Sequence, residues 1–266
     1  IKSILKSSFI STGKKRSKMI SEKISSPLTA IFKNDLRMIL RTPIYMYNCI
    51  GFVILIPIVL LVSTVASGLN NQMDLSAVNN HKLTSMLIVA AAYTFFVSLS
   101  PILSTTFSRE GRSFWISKTI PATYNEQINA RLLSHILLNA ILLALCSISV
   151  YIVTKMSFIV LLSAFILGLI ASMPCAFISL IMDARKPLLM WDNPQRAVKQ
   201  NMNVVISMLI CMAYMLIFAI VGFILVRLLG ANTAAVIIFI LSVLFTVLSD
   251  RIARSKFEKL FLQIEI

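Results

Sequence analysis

Six long apolar stretches, separated by short polar segments, account for most of this chain. They cover about residues 45–68, 84–107, 132–154, 157–180, 204–226 and 232–249. None of the six contains Asp, Glu, Lys or Arg. A helix needs about 20 apolar residues to cross the hydrocarbon core of a bilayer. The pattern therefore predicts an all-α, polytopic membrane protein with six transmembrane helices. Pro101, late in the second stretch, predicts a kink.

The segment before the first stretch, SPLTAIFKNDLRMILRTP at residues 26–43, has the pattern of an amphipathic helix. Ser26 can cap its N-terminus, and Pro27 suits its first turn. The apolar side carries Leu28, Ile31, Phe32, Leu36, Ile39 and Leu40, and the polar side carries Lys33, Asn34, Asp35, Arg37 and Arg41. We predict that this helix lies in the cytoplasmic membrane interface. A helix packed against a partner protein is the alternative.

The polar break at residues 108–127, SREGRSFWISKTIPATYNEQ, carries both charges and aromatic rings. On a helix that starts near Ser113, Phe114 and Trp115 fall within about one turn of Lys118. Pro121 then ends the helix. Two interpretations fit this pattern. Trp and Phe hold loops at a membrane surface, and a short helix with an aromatic side chain also docks in a groove of a partner protein.

Lys and Arg are distributed very unequally among the polar segments. Of the 25 such residues, 22 lie in residues 1–43, 108–131, 181–203 and 250–266. The other three are Lys82, Lys155 and Arg227. Positive residues concentrate on the cytoplasmic side of membrane proteins. We therefore expect a multi-pass protein of the cell membrane with both termini in the cytoplasm.

Composition supports the membrane class and limits the chemistry. The chain is 58% hydrophobic and 13% charged, whereas a soluble domain has about 25% charged residues. The net charge of +15 does not indicate nucleic-acid binding, because the basic residues lie in short segments rather than in one soluble module. The absence of charged residues from the spans argues against a proton- or ion-coupled transporter, which usually carries such residues within the membrane. Neither paired metal-ligating histidines nor a Walker loop is present, and the four cysteines are interpreted as apolar packing residues. We expect no catalytic residue, metal or cofactor in this chain.

The chain divides into a basic cytoplasmic linker at 1–26, a six-span domain at 27–250 and a cytoplasmic tail at 251–266. Because it begins with Ile1 and a basic, serine-rich stretch, we expect it to be the later part of a longer protein. Trp191 is interpreted as an aromatic residue of the membrane interface, and a specific contact within the protein is the alternative.

Three stretches carry a family resemblance: FKNDLRMILRTPIYMYN at 32–48, SREGRSFWISKTIP at 108–121 and DARKPLLMWDNPQRAVKQNMN at 183–203. In this order, and with six spans, the chain resembles the permease subunits of ABC-2 type exporters, in particular a bacterial group of ABC exporter permeases. The resemblance covers about residues 27–250. It is closest to the C-terminal six-span half of a tandem permease.

The resemblance implies a function and a set of site residues. It implies a permease without its own ATPase site, coupled to a separate cytoplasmic ATPase that binds ATP and Mg. It also implies pairing with another permease half, which is either a second copy of this chain or the first half of a tandem chain. It assigns the ATPase-coupling helix to Glu110, Gly111, Arg112, Phe114, Trp115, Lys118 and Pro121. It assigns an elbow helix to Leu28, Phe32, Leu36, Arg37 and Arg41. Two alternatives stay open: a secondary transporter, and a non-transport membrane assembly or immunity protein.

Overall fold

The computed structural model describes residues 26–51, 54–55, 58–59, 62 and 81–265, and within these ranges the chain is helical and contains no strand. The α helices are α1 (Pro27–Arg41), α2 (Pro43–Met46), α3 (Lys82–Ser98), α4 (Phe114–Thr119), α5 (Tyr124–Thr154), α6 (Phe158–Arg185), α7 (Pro194–Lys199) and α8 (Met202–Gln263). A π-helical turn at Tyr47–Gly51 follows α2, and a 3-10 turn at Gly111–Ser113 precedes α4. Most of the predicted linker and of the first predicted span lies outside the described residues.

Three of the described segments are long and apolar enough to cross a membrane. They are Tyr124–Thr154, Phe158–Arg185 and Pro194–Gln263, and α3 is a shorter apolar helix. The first two enclose the third and fourth predicted spans. An all-helical membrane protein, as the apolar stretches predict, is the architecture that this pattern supports.

The third segment folds back on itself within α8. Gly230 has φ 79° and ψ 164°, which is not helical. The rings of Tyr214 and Phe245 lie 6.3 Å apart, although 31 residues of continuous helix would separate them by roughly 46 Å. A Cβ on Gly222 would lie 3.5 Å from Ile238. Gly222 precedes Gly230 by as many residues as Ile238 follows it, as expected for residues that face each other across a hairpin. The two arms of α8 therefore form an antiparallel hairpin with Gly230 at its tip.

Helix α6 lies at the centre of the described bundle. The first arm of α8 runs antiparallel to it, because Cys211 contacts the Cys175 carbonyl and Tyr214 donates to the Ala171 carbonyl. The second arm donates a hydrogen bond from Thr246 to the Ile170 carbonyl. The four cysteines are free and buried, as their apolar surroundings predict.

Helix α3 packs closely on α6, and the contact depends on a glycine. The Thr94 hydroxyl reaches the Gly168 carbonyl at 3.5 Å, and a Cβ on Gly168 would lie only 2.8 Å from the Tyr93 Cβ. Farther along both elements, Asp183 of α6 accepts hydrogen bonds from residues that follow α3. The two helices therefore run parallel and begin at the same end of the bundle.

The second predicted span is shorter in the structure than the apolar stretch indicates. We expected a helix to residue 107 with a kink at Pro101, but α3 ends at Ser98 and residues 101–110 form consecutive turns. The Pro101 ring supplies no backbone N–H. The hydroxyls of Ser104 and Thr105 donate to the Pro101 carbonyl at 3.4 and 2.7 Å, and such local bonds compete with a regular helix.

Helix α1 covers the segment that was predicted to be an amphipathic helix, but the burial of two residues differs from the prediction: Asp35 is buried and Leu40 is exposed. The Ser26 hydroxyl accepts from the Thr29 N–H at the N-terminus. Of the predicted elbow residues, Leu28, Phe32 and Leu36 are half-buried, and Arg37 and Arg41 are exposed. The buried positions are Ile31, Asp35 and Ile39. Asp35 was predicted on the polar face; it points into the protein because positions four residues apart share one helix face.

The segment at 251–266, predicted as a cytoplasmic tail, continues the second arm of α8 to Gln263. Its Phe257, Phe261 and Ile264 are buried. Phe257 and Phe261 stack at 5.5 Å and both lie near Phe107, which follows α3. The end of the chain is thus part of the bundle.

We predict that Gly168→Ala destabilises the protein. Overpacking against Tyr93 should cost about 1–3 kcal/mol, which exceeds the gain of about 1 kcal/mol from replacing Gly in a helix. The measurement is thermal unfolding in detergent, monitored by the reaction of the four buried cysteines with a thiol-reactive dye as they become exposed. Gly222→Ala is the matched control, because its Cβ would meet Ile238 at the ordinary distance of 3.5 Å. A Gly168 variant as stable as the Gly222 variant would contradict the close approach of α3 and α6.

Candidate functional site

The turn segment at residues 101–110 is the most unusual part of the described chain. Every side chain from Ile102 to Arg109 is buried. A buried backbone outside a regular helix leaves N–H and C=O groups that need other partners, and an unpaired buried amide costs about 1–3 kcal/mol. Some partners lie within the segment, and others are side chains of Tyr45 in α2, Arg131 in α5, Asp183 in α6 and Trp191, which follows α6.

Asp183, near the end of α6, accepts hydrogen bonds from two backbone N–H groups in the later part of the turn segment. Its Oδ2 atom accepts from the Phe107 and Ser108 N–H groups at 2.7 and 3.1 Å. Its Oδ1 atom accepts from the Ser108 hydroxyl at 2.5 Å and from the Asn203 amide at 3.3 Å. A single buried carboxylate thereby joins the turn segment, α6 and the start of α8.

The Asp35–Arg109 ion pair joins α1 to the same segment. The Arg109 Nη2 and Asp35 Oδ1 atoms lie 2.7 Å apart, and both side chains are buried. Arg109 Nη1 donates to the Ile102 carbonyl and the Thr105 hydroxyl at 2.6 Å each. The Ser134 hydroxyl of α5 donates to the other Asp35 oxygen at 2.5 Å.

The environment of Arg109 favours its charged form. Burial is the largest influence on its pKa and acts to lower it, but Asp35 and the other groups around it outweigh burial and raise the pKa above its ordinary value. Arg109 is therefore a permanent cation. Removing Asp35 would leave this cation buried without a counter-ion.

The Glu110–Arg131 ion pair connects the end of the turn segment to α5. The Arg131 Nη2 and Glu110 Oε1 atoms lie 2.7 Å apart. The Arg131 guanidinium also lies over the Phe107 ring, 4.1 Å from its centroid, a favourable cation–π contact. The Ser117 hydroxyl of α4 donates to Glu110 at 2.6 Å, and the Gln127 amide of α5 donates to the Ser117 carbonyl at 3.0 Å. Helix α4 is thus anchored to α5 by polar contacts.

Trp191 makes a specific contact in this cluster, which was the alternative to the membrane-interface interpretation. Its indole N–H donates to the Ser108 carbonyl at 2.8 Å, and its ring lies against Gly111. Gly111 has φ 52°, and a Cβ there would lie 2.7 Å from the indole. Both the left-handed backbone and the ring require glycine at this position. The sequence could not identify this contact because the turn segment is more than 80 residues away from Trp191.

Helix α4 has an inner and an outer face. Phe114 and Ser117 are buried, and Phe114 packs edge-on against Phe107 and Phe261 at 5.9 and 5.6 Å. Trp115 and Ile116 are 53% and 45% exposed. This places an apolar, aromatic pair on the surface of a helix whose opposite side is fixed in the core.

The residues predicted for the coupling helix separate between these faces. Glu110, Gly111 and Phe114 point inward and hold the helix in place. The exposed ones are Arg112, Trp115, Lys118 and Pro121. Lys118 also donates to the Ile264 carbonyl at the chain end. The spacing of charges and aromatics predicted the helix but could not say which side chains face inward.

The buried charges are what the sequence pattern missed. The six predicted spans carry no Asp, Glu, Lys or Arg, but Asp35, Arg109, Arg131 and Asp183, which lie outside those spans, are all buried. Arg109, Arg131 and Asp183 lie just outside predicted spans and so resemble ordinary loop charges, and Asp35 lies on the side of α1 that was predicted to be polar. A run of hydroxyl residues from Ser98 to Ser108 was the one local signal of a polar interior. In the part of the chain that the structure describes, no cluster of three His, Cys, Asp or Glu side chains could hold a metal ion.

Comparison of the chain with known protein families, curated proteins and solved structures finds no match. The family resemblance therefore rests on the three sequence stretches and their order.

We predict that Asp35→Ala strongly destabilises the fold. Breaking a buried pair leaves Arg109 uncompensated and should cost about 3–5 kcal/mol. The measurement is the temperature at which the buried cysteines become reactive. Asp192→Ala is the matched control, because Asp192 pairs with Arg196 at the surface at 3.6 Å, where such pairs contribute about 0–1 kcal/mol. Equal shifts in the two variants would show that the buried pair does not support the fold.

Proposed function

We propose that this chain is the transmembrane permease part of an ATP-driven ABC exporter and that α4 couples it to a separate cytoplasmic ATPase. The observation that carries this proposal is the two-faced α4. Its exposed Trp115 and Ile116 offer an aromatic contact of the kind enriched at protein interfaces. Its buried Phe114 and Ser117 attach it to the bundle.

The attachments give α4 the properties of a lever. Through Glu110 it is tied to Arg131 of α5, and through the adjoining turn segment to Asp183 of α6 and Asp35 of α1. Phe114 packs against the end of α8. A closely packed interior transmits displacement rather than absorbing it. A force on the outer face of α4 would therefore reach four helices of the permease.

The arrangement of helices supports a six-span topology with both ends in the cytoplasm. We assign the spans to residues 45–68, α3, α5, α6 and the two arms of α8. The three isolated cations, Lys82, Lys155 and Arg227, lie at the start of α3, between α5 and α6, and near the α8 tip, which is one end of the bundle. Helix α4 and the buried ion pairs lie at the other, cation-rich end, where the positive-inside rule places the cytoplasm.

ATP and Mg would bind to the partner ATPase. ATPase closure would displace α4, and the bundle would then change which side of the membrane it opens to. A second permease half, either another copy or the first half of a tandem chain, would complete the pathway.

We predict that Trp115→Ala reduces co-purification with the partner ATPase by about tenfold or more, as expected for a Trp at the centre of an interface. The measurement is the amount of ATPase retained on the tagged permease, together with ATPase activity. Arg112→Glu, which reverses an exposed charge on the same face, should have the same effect. Cysteine reactivity should be unchanged in both variants, because neither side chain supports the core.

Phe158→Ala is the matched control, because Phe158 is equally an exposed aromatic residue but lies at the opposite end of the bundle. Glu110→Lys is not a clean test of docking, since a lysine beside Arg131 would place two cations together in the interior. Two results together would assign the helix to the membrane surface instead. ATPase retention would be unchanged in Trp115→Ala, and brominated lipid would quench the fluorescence of Trp115 in the isolated, unchanged permease.

A further inference from the structure

Helix α1 carries three cations on the side that faces away from the bundle. Lys33, Arg37 and Arg41 are spaced four residues apart, and all three side chains are exposed. Positions four residues apart share one helix face, so the three form a row about 12 Å long. We call this row the basic stripe. Because the stripe lies about 160° around the helix from the buried positions of α1, it is on the outer surface of the described bundle.

The basic stripe is not neutralised by an acidic side chain in the described chain. None of the four ion pairs between described residues includes a stripe residue. Asp35 is the only Asp or Glu between residues 23 and 73, and its carboxylate is buried against Arg109 and Ser134. The three cations therefore form a region of uncompensated positive charge, which favours an anionic partner.

Exposed apolar side chains adjoin the basic stripe on one flank. Leu40 is 52% exposed, and it continues a row that begins with the half-buried Phe32 and Leu36. Just after α1, Met46 and Tyr47 are also exposed. A helix with a row of cations beside an apolar flank is typical of the membrane surface, where the apolar side chains enter the acyl boundary. The flank therefore favours a lipid surface over an acidic protein as the partner of the stripe.

We propose that the basic stripe binds the anionic headgroups of phospholipids in the cytoplasmic leaflet, with Leu40 in the acyl region beneath them. Phosphate oxygens accept the charge-assisted hydrogen bonds that guanidinium and ammonium groups donate. Cations on an amphipathic helix recognise anionic lipids in this way. The proposal rests on the topology proposed above, which places α1 at the cation-rich end of the bundle, but it does not require the ATPase.

Lipid bound at the stripe would act on the support of α4. The opposite side of α1 holds Asp35, which pairs with Arg109 of the turn segment at 2.7 Å and accepts from Ser134 of α5. Glu110, the next residue after Arg109, is tied to α4 through the Ser117 hydroxyl. Headgroups that fix α1 would therefore influence the position of α4, as linkage requires of two sites that share one structural element.

The test attaches a fluorescent thiol dye to a Leu40→Cys variant of the whole chain. The four native cysteines are buried and free, so the folded protein is labelled at residue 40. The permease alone is placed in phosphatidylcholine bilayers with either phosphatidylglycerol or phosphatidylcholine that carries a quenching nitroxide on the same acyl carbon. Half-quenching should need at least tenfold less of the phosphatidylglycerol, because each cation contributes about fivefold to anionic lipid binding.

The combined variant Lys33→Gln/Arg37→Gln/Arg41→Gln, made in the same labelled protein, should remove this preference. The two nitroxide lipids should then quench the dye equally, since the apolar flank that places residue 40 in the bilayer is unchanged. The temperature at which the native cysteines become reactive should also be unchanged, because all three replaced side chains are exposed.

The combined variant Arg251→Gln/Lys256→Gln/Lys259→Gln is the matched control. It removes three exposed cations from the end of α8, where Asp250 and Glu258 lie among them, and it should keep the preference for phosphatidylglycerol. Loss of the preference in both combined variants would assign it to overall charge and overturn the proposal.

Two other results in the labelled protein with an intact stripe would also overturn the proposal. Equal quenching by the two lipids would show that the stripe does not select a headgroup. Quenching by neither lipid would place α1 in water, where the stripe would be available to an acidic protein surface. Since no ATPase is present, these results do not depend on docking at Trp115, and failure of either proposal is recognisable by itself.

Discussion

The rest of the structure depends on one constraint: the backbone of residues 101–110 is buried but not helical. Inside a helix, each N–H and C=O finds its partner four residues away. Here some partners lie within the segment itself, and the side chains of Asp183, Arg109 and Trp191 provide others. Buried backbone polar groups outside regular secondary structure are costly unless such partners are present. The surrounding helices are therefore held together at this end of the bundle by the needs of the segment they enclose.

The same constraint explains why the buried charges occur in compensated sets. Arg109 satisfies a carbonyl of the turn segment and needs Asp35 as its counter-ion; Arg131 covers Phe107 and needs Glu110. Such pairs are weak contributors to stability when intact, because desolvation offsets much of their attraction, but they are costly to break. They therefore specify an arrangement more than they strengthen it. The arrangement they specify joins α1, α4, α5 and α6, which a set of apolar contacts alone could allow to slide.

The turn segment also links two surfaces of different character. At one end, Ser100 and Pro101 line a groove together with apolar residues such as Met208. At the other, Gly111 allows the chain to pass beneath Trp191 and begin α4, whose Trp115 is exposed. A helix in place of this segment would be a stiff rod with its polar groups already paired. A turn segment held by side chains has partners that can be exchanged one by one, which suits the displacement that the proposed coupling mechanism requires.

The apolar stretches were enough to predict an all-helical membrane protein with the helices α5 and α6, because burial in lipid demands long uncharged runs. The amphipathic character of α1 was also predictable, because helical periodicity repeats locally. Ser26, Pro27 and Pro121 marked helix ends for equally local reasons. The sequence by itself also determined the segregation of Lys and Arg. Tertiary structure alone decided that Asp35 faces inward, that Trp191 covers Gly111, and that α8 reverses at Gly230. Each of these depends on a partner far away in the chain: a carboxylate is buried only where a distant cation meets it, and one Gly in an apolar run becomes a hairpin tip only when both arms find α6 to pack against.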